Sequence, residues 1–420
     1  MRCVALVGGL CIFAIMFRRV DAVVLATPFL VGLLLGLARG TTVTPTVSMS
    51  AAASSLLEGE VTRLVVTVAA SEPIDVVSVK VATHSEWISG YKDVPERCVR
   101  LGAGEERELR FRVRTTRWGR RQVGPASAFA AAGYGLLRRG PFVTGMVTVA
   151  TVPIAEDFQA VDVVPHAAGM VGLHRSRRIG DGTDIAGVRP FQVGDRLHRI
   201  NWPVSLRRGE LHVTATLSDR DAEVALVLDT TYDVGESEGI DGRSSSLDTT
   251  VRAAAAVAEH YLRHGDRVGL LDLSRAVRRV PAGGGRAHLI RLLDVLLDVR
   301  DTRADGAQIA AGMALGQLGR GSLVLLMTPL IGESVLERAA AMAYAGYAVL
   351  VVDTLPADAA PPRRSDWTTL AWRLWLLERD QEIGRLSELG VPVVPWRGPG
   401  SLDEVLRDVS MAAGAPRIMR

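Results

Sequence analysis

Four residues in the loop after a buried apolar run carry oxygen atoms suited to binding a hard cation. The run EVALVL at 223–228 is followed by Asp229, Thr230, Thr231 and, two residues further on, Asp233. Carboxylate and hydroxyl oxygens are ligands that Mg²⁺ prefers, and open α/β sheets bind their ligands beyond the carboxyl ends of the strands. The loop after this run is therefore the first candidate for a metal or ligand site.

A second candidate is the segment VRPFQVGDRLHRINWPVSLRRGELHV at residues 188–213. It combines arginines, a tryptophan and a Gly-Asp turn, but it contains no nucleophile–base pair and no metal-ligand spacing. Arginine guanidinium groups form planar forks that suit carboxylates and phosphates, whether inside one chain or between two. The segment therefore predicts structural contacts or the docking of a partner.

Composition narrows the classes of function that the chain can serve. With 420 residues the chain is long enough for several domains. Its net charge is only +3, and a nucleic-acid-binding protein would need a clustered basic face. We therefore expect no nucleic-acid partner. Cys3 and Cys11 lie in the apolar N-terminus, which leaves Cys98 as the only thiol elsewhere and allows no intrachain disulfide there.

Two apolar runs open the chain, at residues 4–17 and 22–38. At about 1.5 Å per residue the second run nearly spans a bilayer core of roughly 30 Å. Arg18 and Arg19 stand where a signal peptide would have small cleavage-site residues. We therefore predict a transmembrane helical hairpin over residues 1–40, which makes the protein a multi-pass protein of the plasma membrane with the lipid bilayer as a partner.

The rest of the chain changes pattern twice. Residues 44–155 alternate apolar and polar side chains at period two between Gly- and Pro-rich breaks, which predicts an Ig-like β-sandwich. Residues 156–222 keep no regular period and form an irregular module that contains the arginine-rich segment. Residues 223–413 alternate apolar strands with amphipathic helices, which predicts a doubly wound parallel α/β sheet.

The arginine-rich segment and the strand that ends in Asp229 resemble the DUF58 family of bacterial membrane proteins, whose last domain is von Willebrand factor A-like (vWA-like). The family pattern falls on Arg189, Phe191, Gly194, Asp195, Arg199, Ile200, Asn201, Trp202, Ser205, Arg207, Leu211 and Val213. The resemblance covers the layout of nearly the whole chain. It implies a MoxR-type AAA+ ATPase, or the client of that ATPase, as the partner, and hence a cytoplasmic position for most of the chain.

The vWA-like resemblance also implies a place for Mg²⁺, but the residues depart from the metal-binding pattern. Asp229 and Thr231 fit the first loop, whereas Asp233 stands where a serine is expected and could act as a substitute ligand. Thr328 stands where the metal binders have an aspartate, and the second loop, at residues 303–312, has no obvious threonine. We therefore expect no resident cofactor and only weak binding of Mg²⁺.

Two interpretations of the arginine-rich segment stay open. As a structural clasp, Gly194 would allow a tight turn, Asp195 would hydrogen-bond its own backbone or accept from Arg199, and Trp202 would be a large apolar anchor. As a docking surface, Arg189, Arg199 and Arg207 would bind an anion or a partner protein.

Three functions follow from these alternatives. The first is a non-enzymatic, membrane-anchored adaptor that binds a protein partner through the vWA-like domain. The second is a cation-dependent adhesion or receptor module outside the cell, which needs an intact metal site. The third is a membrane-tethered hydrolase, which is disfavoured because no Gly-x-Ser-x-Gly elbow and no Cys-His pairing outside the membrane region occur in the sequence.

Overall fold

The structure is a computed structural model that describes residues 2–38, 44–83, 86–90, 96–132, 137–154, 179–192, 197–217, 223–273, 278–300, 322–331, 333–345, 347–361 and 365–397, with positions 400 and 403. Two compact units divide the chain, Met1–Val152 and Pro153–Arg420. Residues 156–178 of the predicted irregular module lie outside the described residues.

The first unit begins with the predicted pair of helices, α1 (Arg2–Phe17) and α2 (Val20–Ala38). Arg18 makes the turn between them in the left-handed region of the backbone, with φ 49°. Small side chains such as Ala14 and Ala26 are buried along the hairpin. No helix among the described residues is both long enough and apolar enough to cross a membrane. The helical hairpin is thus confirmed, whereas its transmembrane assignment is not supported.

Strands make up the rest of the described first unit. They are β1 (Thr46–Ala51), β2 (Ser55–Leu57), β3 (Val61–Ala70), β4 (Ile74–Val81), β5 (Ile88–Gly90), β6 (Arg97–Leu101), β7 (Glu105–Thr115), β8 (Gly119–Val123), β9 (Ala126–Ala132), β10 (Leu137–Val143) and β11 (Val147–Val152). The two larger sheets run in the orders β1-β3-β7-β5 and β10-β9-β4-β6, and a smaller one runs β2-β11-β8. The pairs of strands are antiparallel except β2 with β11, which is parallel.

Both larger sheets contribute to one core, as a β-sandwich requires. Val66 and Val68 of β3 and Phe111 of β7 pack in the same buried cluster as Val77 and Val79 of β4. Successive residues of β3 alternate between buried and exposed or half-buried positions, which is the alternation that the sequence predicted.

The second unit begins with an antiparallel pair, β12 (Ile179–Pro190) and β13 (His212–Leu217). The chain between them forms a short 3-10 helix over Leu197–Arg199 and then α3 (Trp202–Arg208). This β12–α3–β13 unit contains the described part of the arginine-rich segment.

The predicted α/β domain follows. Its strands are β14 (Glu223–Leu228), β15 (Arg267–Asp272), β16 (Arg278–Gly283), β17 (Leu323–Thr328), β18 (Ala348–Asp353) and β19 (Val393–Pro395). Its described helices are α4 (Ser246–Arg263), α5 (Arg286–Leu296), α6 (Glu333–Tyr344) and α7 (Asp366–Glu388). The strand order is β16-β15-β14-β17-β18-β19, and every neighbouring pair is parallel except β15 and β16.

The sheet is therefore parallel, as predicted, except at one edge. β16 turns back along β15, and it contains Pro281, which has no N–H to donate to a further strand. Its residues are half-buried or exposed, unlike the buried central strands. The strand order reverses at β14, so the carboxyl end of β14 is the point where an open α/β sheet binds ligands.

Candidate functional site

Asp229 lies at the carboxyl end of β14, where the strand order reverses, and it is buried. Its backbone N–H donates to the carbonyl of Met327 over 2.8 Å, which continues the pairing of β14 with β17. Thr328 Oγ1 donates to Asp229 Oδ2 over 2.8 Å, and the Thr231 N–H donates to Oδ1 over 3.3 Å. Both carboxylate oxygens of Asp229 therefore have protein donors, which offset the cost of burying the charge.

A second buried carboxylate sits beside the first. Asp272 ends β15, and its Oδ1 accepts a hydrogen bond of 2.6 Å from Thr230 Oγ1. On the other side of β17, the Thr354 N–H donates to the carbonyl of Thr328 over 3.0 Å, and Thr250 Oγ1 donates to Thr354 Oγ1 over 2.8 Å. A row of buried polar groups thus runs along the carboxyl edge of the sheet.

Sequence reasoning missed Asp272 and Thr354 as members of this row. Both carried the signal that singled out Asp229, because Asp272 ends the apolar run RVGLLD and Thr354 directly follows AVLVVD. Applying the strand-end rule to every strand of the domain would have found them.

Asp233 serves the start of helix α4. Its Oδ2 accepts from Ser245 Oγ over 3.1 Å, while its Oδ1 accepts from Ser246 Oγ over 3.3 Å and from the Leu247 N–H over 3.0 Å. Ser245 also forms a capping box with Asp248. A carboxylate at this place stabilises the positive end of the helix, so its role in the fold is already clear without a cation.

The predicted metal ligands therefore do not assemble into one coordination set. Asp229 and Thr328 bond to each other, Asp233 bonds to the start of α4, and Thr231 reaches Asp229 through its backbone. Among the described residues, no three His, Cys, Asp or Glu side chains converge on a place for a metal ion. Residues 303–312, the predicted second loop, lie outside the described residues.

A polar cleft of about 280 Å³ opens in the same domain. It is lined by Gly235, Glu236, Arg243, Ser244, Asp358, Ala359, Ala360 and Pro361. Glu238 stabilises the loop of residues 235–244 at this cleft. Its carboxylate accepts from Arg243 Nη2 over 2.7 Å and from the Arg243 N–H over 3.0 Å. The Arg243 side chain and backbone donors hold the pKa of Glu238 below its usual 4.5, and Glu238 raises the pKa of Arg243.

In the arginine-rich segment, two predicted residues fix helix α3 to strand β13. Asn201 is the N-cap of α3 and accepts from the Val204 N–H over 3.2 Å, while its Nδ2 donates to Thr214 Oγ1 over 3.3 Å. Ser205 is buried; its Oγ donates to the carbonyl of Asn201 over 2.8 Å and accepts from the His212 N–H over 2.9 Å. These contacts fasten α3 to β13, whereas the predicted clasp rested on Gly194, Asp195 and Trp202.

Trp202 does not act as the apolar anchor that was predicted for the clasp. The side chain is 58% exposed, so the prediction of a buried apolar anchor is wrong. The reason is the helical period: Asn201 and Ser205 are four residues apart and face β13, whereas Trp202 and Leu206 lie one residue further round the helix. Leu206 is 81% exposed. The large apolar side chains Trp202 and Leu206 of α3 therefore point away from strand β13.

The remaining residues of the segment fall into three groups. Arg207 and Arg208 are exposed in the last turn of α3, beside Leu206. Arg189 and Arg199 are half-buried, and Arg189 Nη1 donates to the carbonyl of Pro190 over 3.1 Å. Gly194 and Asp195 lie outside the described residues. We define the α3 surface as Trp202, Leu206, Arg207 and Arg208.

Comparison with known proteins finds one family match that covers both the arginine-rich segment and the loop after β14. Residues 187–364 match the family described as "Protein of unknown function DUF58". Uncharacterized proteins of Mycobacterium tuberculosis and Mycobacterium bovis are each 27% identical to this chain over 266 residues, which is 62% of this chain and 75% of each relative.

Among solved structures, the CARDB domain of the PF1109 protein of Pyrococcus furiosus, in complex with di-metal ions, is similar over 26% of this chain and 89% of that domain. The identity is 18% and the TM-score is 0.20, a similarity too weak to support an argument. The segment 187–364 thus carries the DUF58 match, and it contains the α3 surface and the Asp229 row.

Proposed function

We propose that this protein is a non-enzymatic, membrane-attached adaptor that binds a protein partner through the α3 surface and a vWA-like α/β domain. The partner we propose is a MoxR-type AAA+ ATPase or the client on which such an ATPase acts. The observation that carries the proposal is the exposure of Trp202 and Leu206 beside Arg207 and Arg208.

The α3 surface has the composition and the support of a docking site. Tryptophan and arginine dominate the binding energy of protein interfaces, and a protein that exposes them on a helix places them within reach of a partner. Asn201 and Ser205 hold the helix on β13, so little conformational freedom would be lost on binding. The complementary surface is an apolar pocket with an acidic rim.

The α/β domain supports the vWA-like part of the proposal through its topology. The order β16-β15-β14-β17-β18-β19 with one antiparallel edge strand brings Asp229, Thr328 and Thr354 to a single edge. Since the polar groups there satisfy one another, a partner would bind this edge through shape and further hydrogen bonds, without a bridging ion.

Membrane attachment is supported by the surface of the helical hairpin. Ile15, Met16, Val20 and Val24 are among its many exposed apolar side chains, which water solvates poorly. We propose that the hairpin lies in a bilayer and that the rest of the chain faces the cytoplasm, where an ATP-using partner is available.

The adaptor function is tested by recovering partners from detergent-solubilised membranes with the tagged full chain, with and without ATP. We expect an AAA+ ATPase among the recovered proteins and about tenfold less of it with Trp202→Ala, as for an aromatic hot spot. Tyr344→Ala, which alters another exposed aromatic residue of the second unit, is the matched control and should change nothing. Equal recovery by wild type and Trp202→Ala would contradict the role of the α3 surface.

The orientation is tested with a single engineered thiol. Glu337 of α6 is exposed, so Glu337→Cys in a background with Cys3, Cys11 and Cys98 changed to serine reports which side of the membrane the second unit faces. A membrane-impermeant maleimide should leave it unmodified in intact cells and modify it after lysis. Modification in intact cells would contradict the cytoplasmic position.

A further inference from the structure

Helix α7 has two apolar faces, of which the fold uses one. Leu386 is fully buried and packs, with the half-buried Ile383, in the core beneath the sheet. Arg379 lies on the same side, where its guanidinium pairs with Asp353 and its Nε donates to the carbonyl of Pro329 over 3.2 Å. These contacts fix the C-terminal half of α7 to the domain.

The opposite face of α7 carries a row of exposed apolar side chains in its N-terminal half. Exposures are 82% for Trp367, 50% for Leu370, 54% for Leu374 and 60% for Leu377. At about 100° per residue these four lie within one stripe, and Leu374 lies about 140° round the helix from Arg379. We call these four residues the α7 stripe. A contiguous row of large apolar side chains in water marks an interaction surface.

The spacing of the stripe indicates that its partner is a helix. The four residues are three, four and three positions apart, which is the alternation of a and d positions in a coiled coil. Trp372 and Trp375, on the side nearer the domain, are half-buried, and their ring centroids lie 4.8 Å apart with the ring planes tilted by 39°. This half of α7 is therefore apolar on most sides, as expected for a helix that is buried in its working state.

The charges beside the stripe indicate which helix it is. Arg373 directly precedes Leu374 and Glu378 directly follows Leu377, so they occupy g and e positions, and both are exposed. In a parallel pair of helices a g residue contacts the e residue five positions further along the other helix. Arg373 would therefore meet Glu378 of a second copy, and by symmetry the pair would form twice.

An antiparallel pair of the same helices would be repelled. With Leu370 opposite Leu374 of the other copy, the g positions face one another. Arg373 would then lie opposite Arg373, and Asp366 would lie opposite Asp380. Like charges at these positions are unfavourable, so the sequence of α7 favours the parallel arrangement.

We propose that residues 367–378 of α7 pair with the same residues of a second copy of this chain, as a short parallel coiled coil on a twofold axis. Trp367, Leu370, Leu374 and Leu377 form the seam, and Arg373 with Glu378 set partner and direction. This inference is independent of the proposed adaptor function, because it concerns a different helix and a different partner.

Charge reversal tests the pairing without disturbing the fold, because both charged residues are exposed. The full chain in detergent is followed by sedimentation over a range of concentrations. Arg373→Glu and Glu378→Arg should each weaken self-association about tenfold, and the double variant should return it to within about threefold of wild type. Arg291→Glu, at an exposed position of α5, is the matched control and should have no effect.

Cysteine cross-linking tests the direction. In a background with Cys3, Cys11 and Cys98 changed to serine, Leu374→Cys alone should form a disulfide-linked dimer, because a positions face each other in a parallel pair. Cross-linking that requires Leu370→Cys mixed with Leu374→Cys would instead show an antiparallel pair and overturn the proposal.

Three further results would overturn it. The first is a monomer at every concentration. The second is self-association that persists in Leu370→Asp/Leu374→Asp, which would place the contact elsewhere, such as the helical hairpin. The third is loss of binding to lipid vesicles in that variant with no change in mass, which would make the stripe a membrane surface. Loss of the dimer in that variant, with unchanged far-UV circular dichroism, supports the pairing.

Discussion

Thr328 Oγ1 donates a hydrogen bond of 2.8 Å to Asp229 Oδ2 between the carboxyl ends of two neighbouring parallel strands. The same hydroxyl accepts from the N–H of Leu330 over 3.0 Å, and Leu330 holds a left-handed backbone with φ 56°. Thr328 therefore joins the buried carboxylate to the turn that follows β17. A serine or threonine at this place performs a structural task that an aspartate could not, since an ionised carboxylate has no proton to donate.

Replacing Thr328 with valine should destabilise the second unit. The change keeps the shape but removes the donor to a buried carboxylate, which costs about 1 to 3 kcal/mol. Chemical denaturation of the full chain measures the loss. Thr231→Val is the control, because Thr231 reaches Asp229 through its backbone N–H, which valine retains. Equal losses in the two variants would show that the hydroxyl of Thr328 is not responsible.

Wild-type protein should show no saturable heat with Mg²⁺ or Mn²⁺ below millimolar concentration, and EDTA should leave its melting temperature unchanged. The physical reason is that Asp229 and Asp233 already have protein donors on both oxygens. Thr328→Asp should melt lower in EDTA, because it sets two carboxylates side by side, and Mg²⁺ should restore part of the loss. Micromolar affinity in the wild type that Asp229→Ala abolishes would favour the cation-dependent adhesion module.

The two sides of α3 should respond differently to mutation. Asn201→Ala should lower the free energy of unfolding by about 1 kcal/mol through loss of the N-cap, and Ser205→Ala by about 1 to 3 kcal/mol through the buried His212 N–H that it leaves unpaired. Trp202→Ala should change it by less than about 0.5 kcal/mol, because the ring is mostly exposed. Thermal melts check all three. A large loss in Trp202→Ala would restore the buried-anchor interpretation.

Arg379 should be the most sensitive charged residue of α7. It is 7% exposed and pairs with Asp353, so Arg379→Met leaves a buried carboxylate without its cation and should cost about 3 to 5 kcal/mol. Arg379→Met combined with Asp353→Asn should recover much of that loss. Arg385→Met, which breaks an exposed pair with Glu382, should cost less than about 1 kcal/mol. Similar losses for Arg379→Met and Arg385→Met would contradict the buried pair.

The loop beside the polar cleft should loosen in acid. Arg243 depresses the pKa of Glu238 below 4.5, so the contribution of this pair is fully present above that pH and disappears as the pH falls through the lowered value. Hydrogen exchange of residues 235–244 should therefore accelerate as the pH falls through the lowered pKa of Glu238, and Glu238→Gln should make exchange at neutral pH resemble that of wild type in acid. Exchange that is independent of pH in wild type, after correction for the intrinsic rate, would contradict the role of the pair.

Much of the fold could be predicted from the sequence, because local pattern determines it. Period-two alternation marked β3 and its neighbours, apolar runs with intervening amphipathic segments marked β14, β17 and the helices of the α/β domain, and the apolar N-terminus marked the hairpin. These signals are local because a strand or helix buries one face along its own length. The residue types at the end of β14 likewise indicated a polar site at the point where the strand order reverses.

Only the tertiary structure decided which side chains meet. The sequence could not show that Asp233 belongs to the start of α4 while Thr328, 99 residues beyond Asp229, supplies its donor. Nor could it show that Trp202 faces outward, because a helix of seven residues is too short for its apolar period to reveal which side packs against the fold. Hydrogen bonds between strands depend on register and on the approach of distant segments. The sequence also could not show that the α7 stripe stays exposed on the described part of the domain. These side-chain contacts depend on how helices and strands pack against one another, whereas each helix or strand follows from the local pattern of apolar and polar residues.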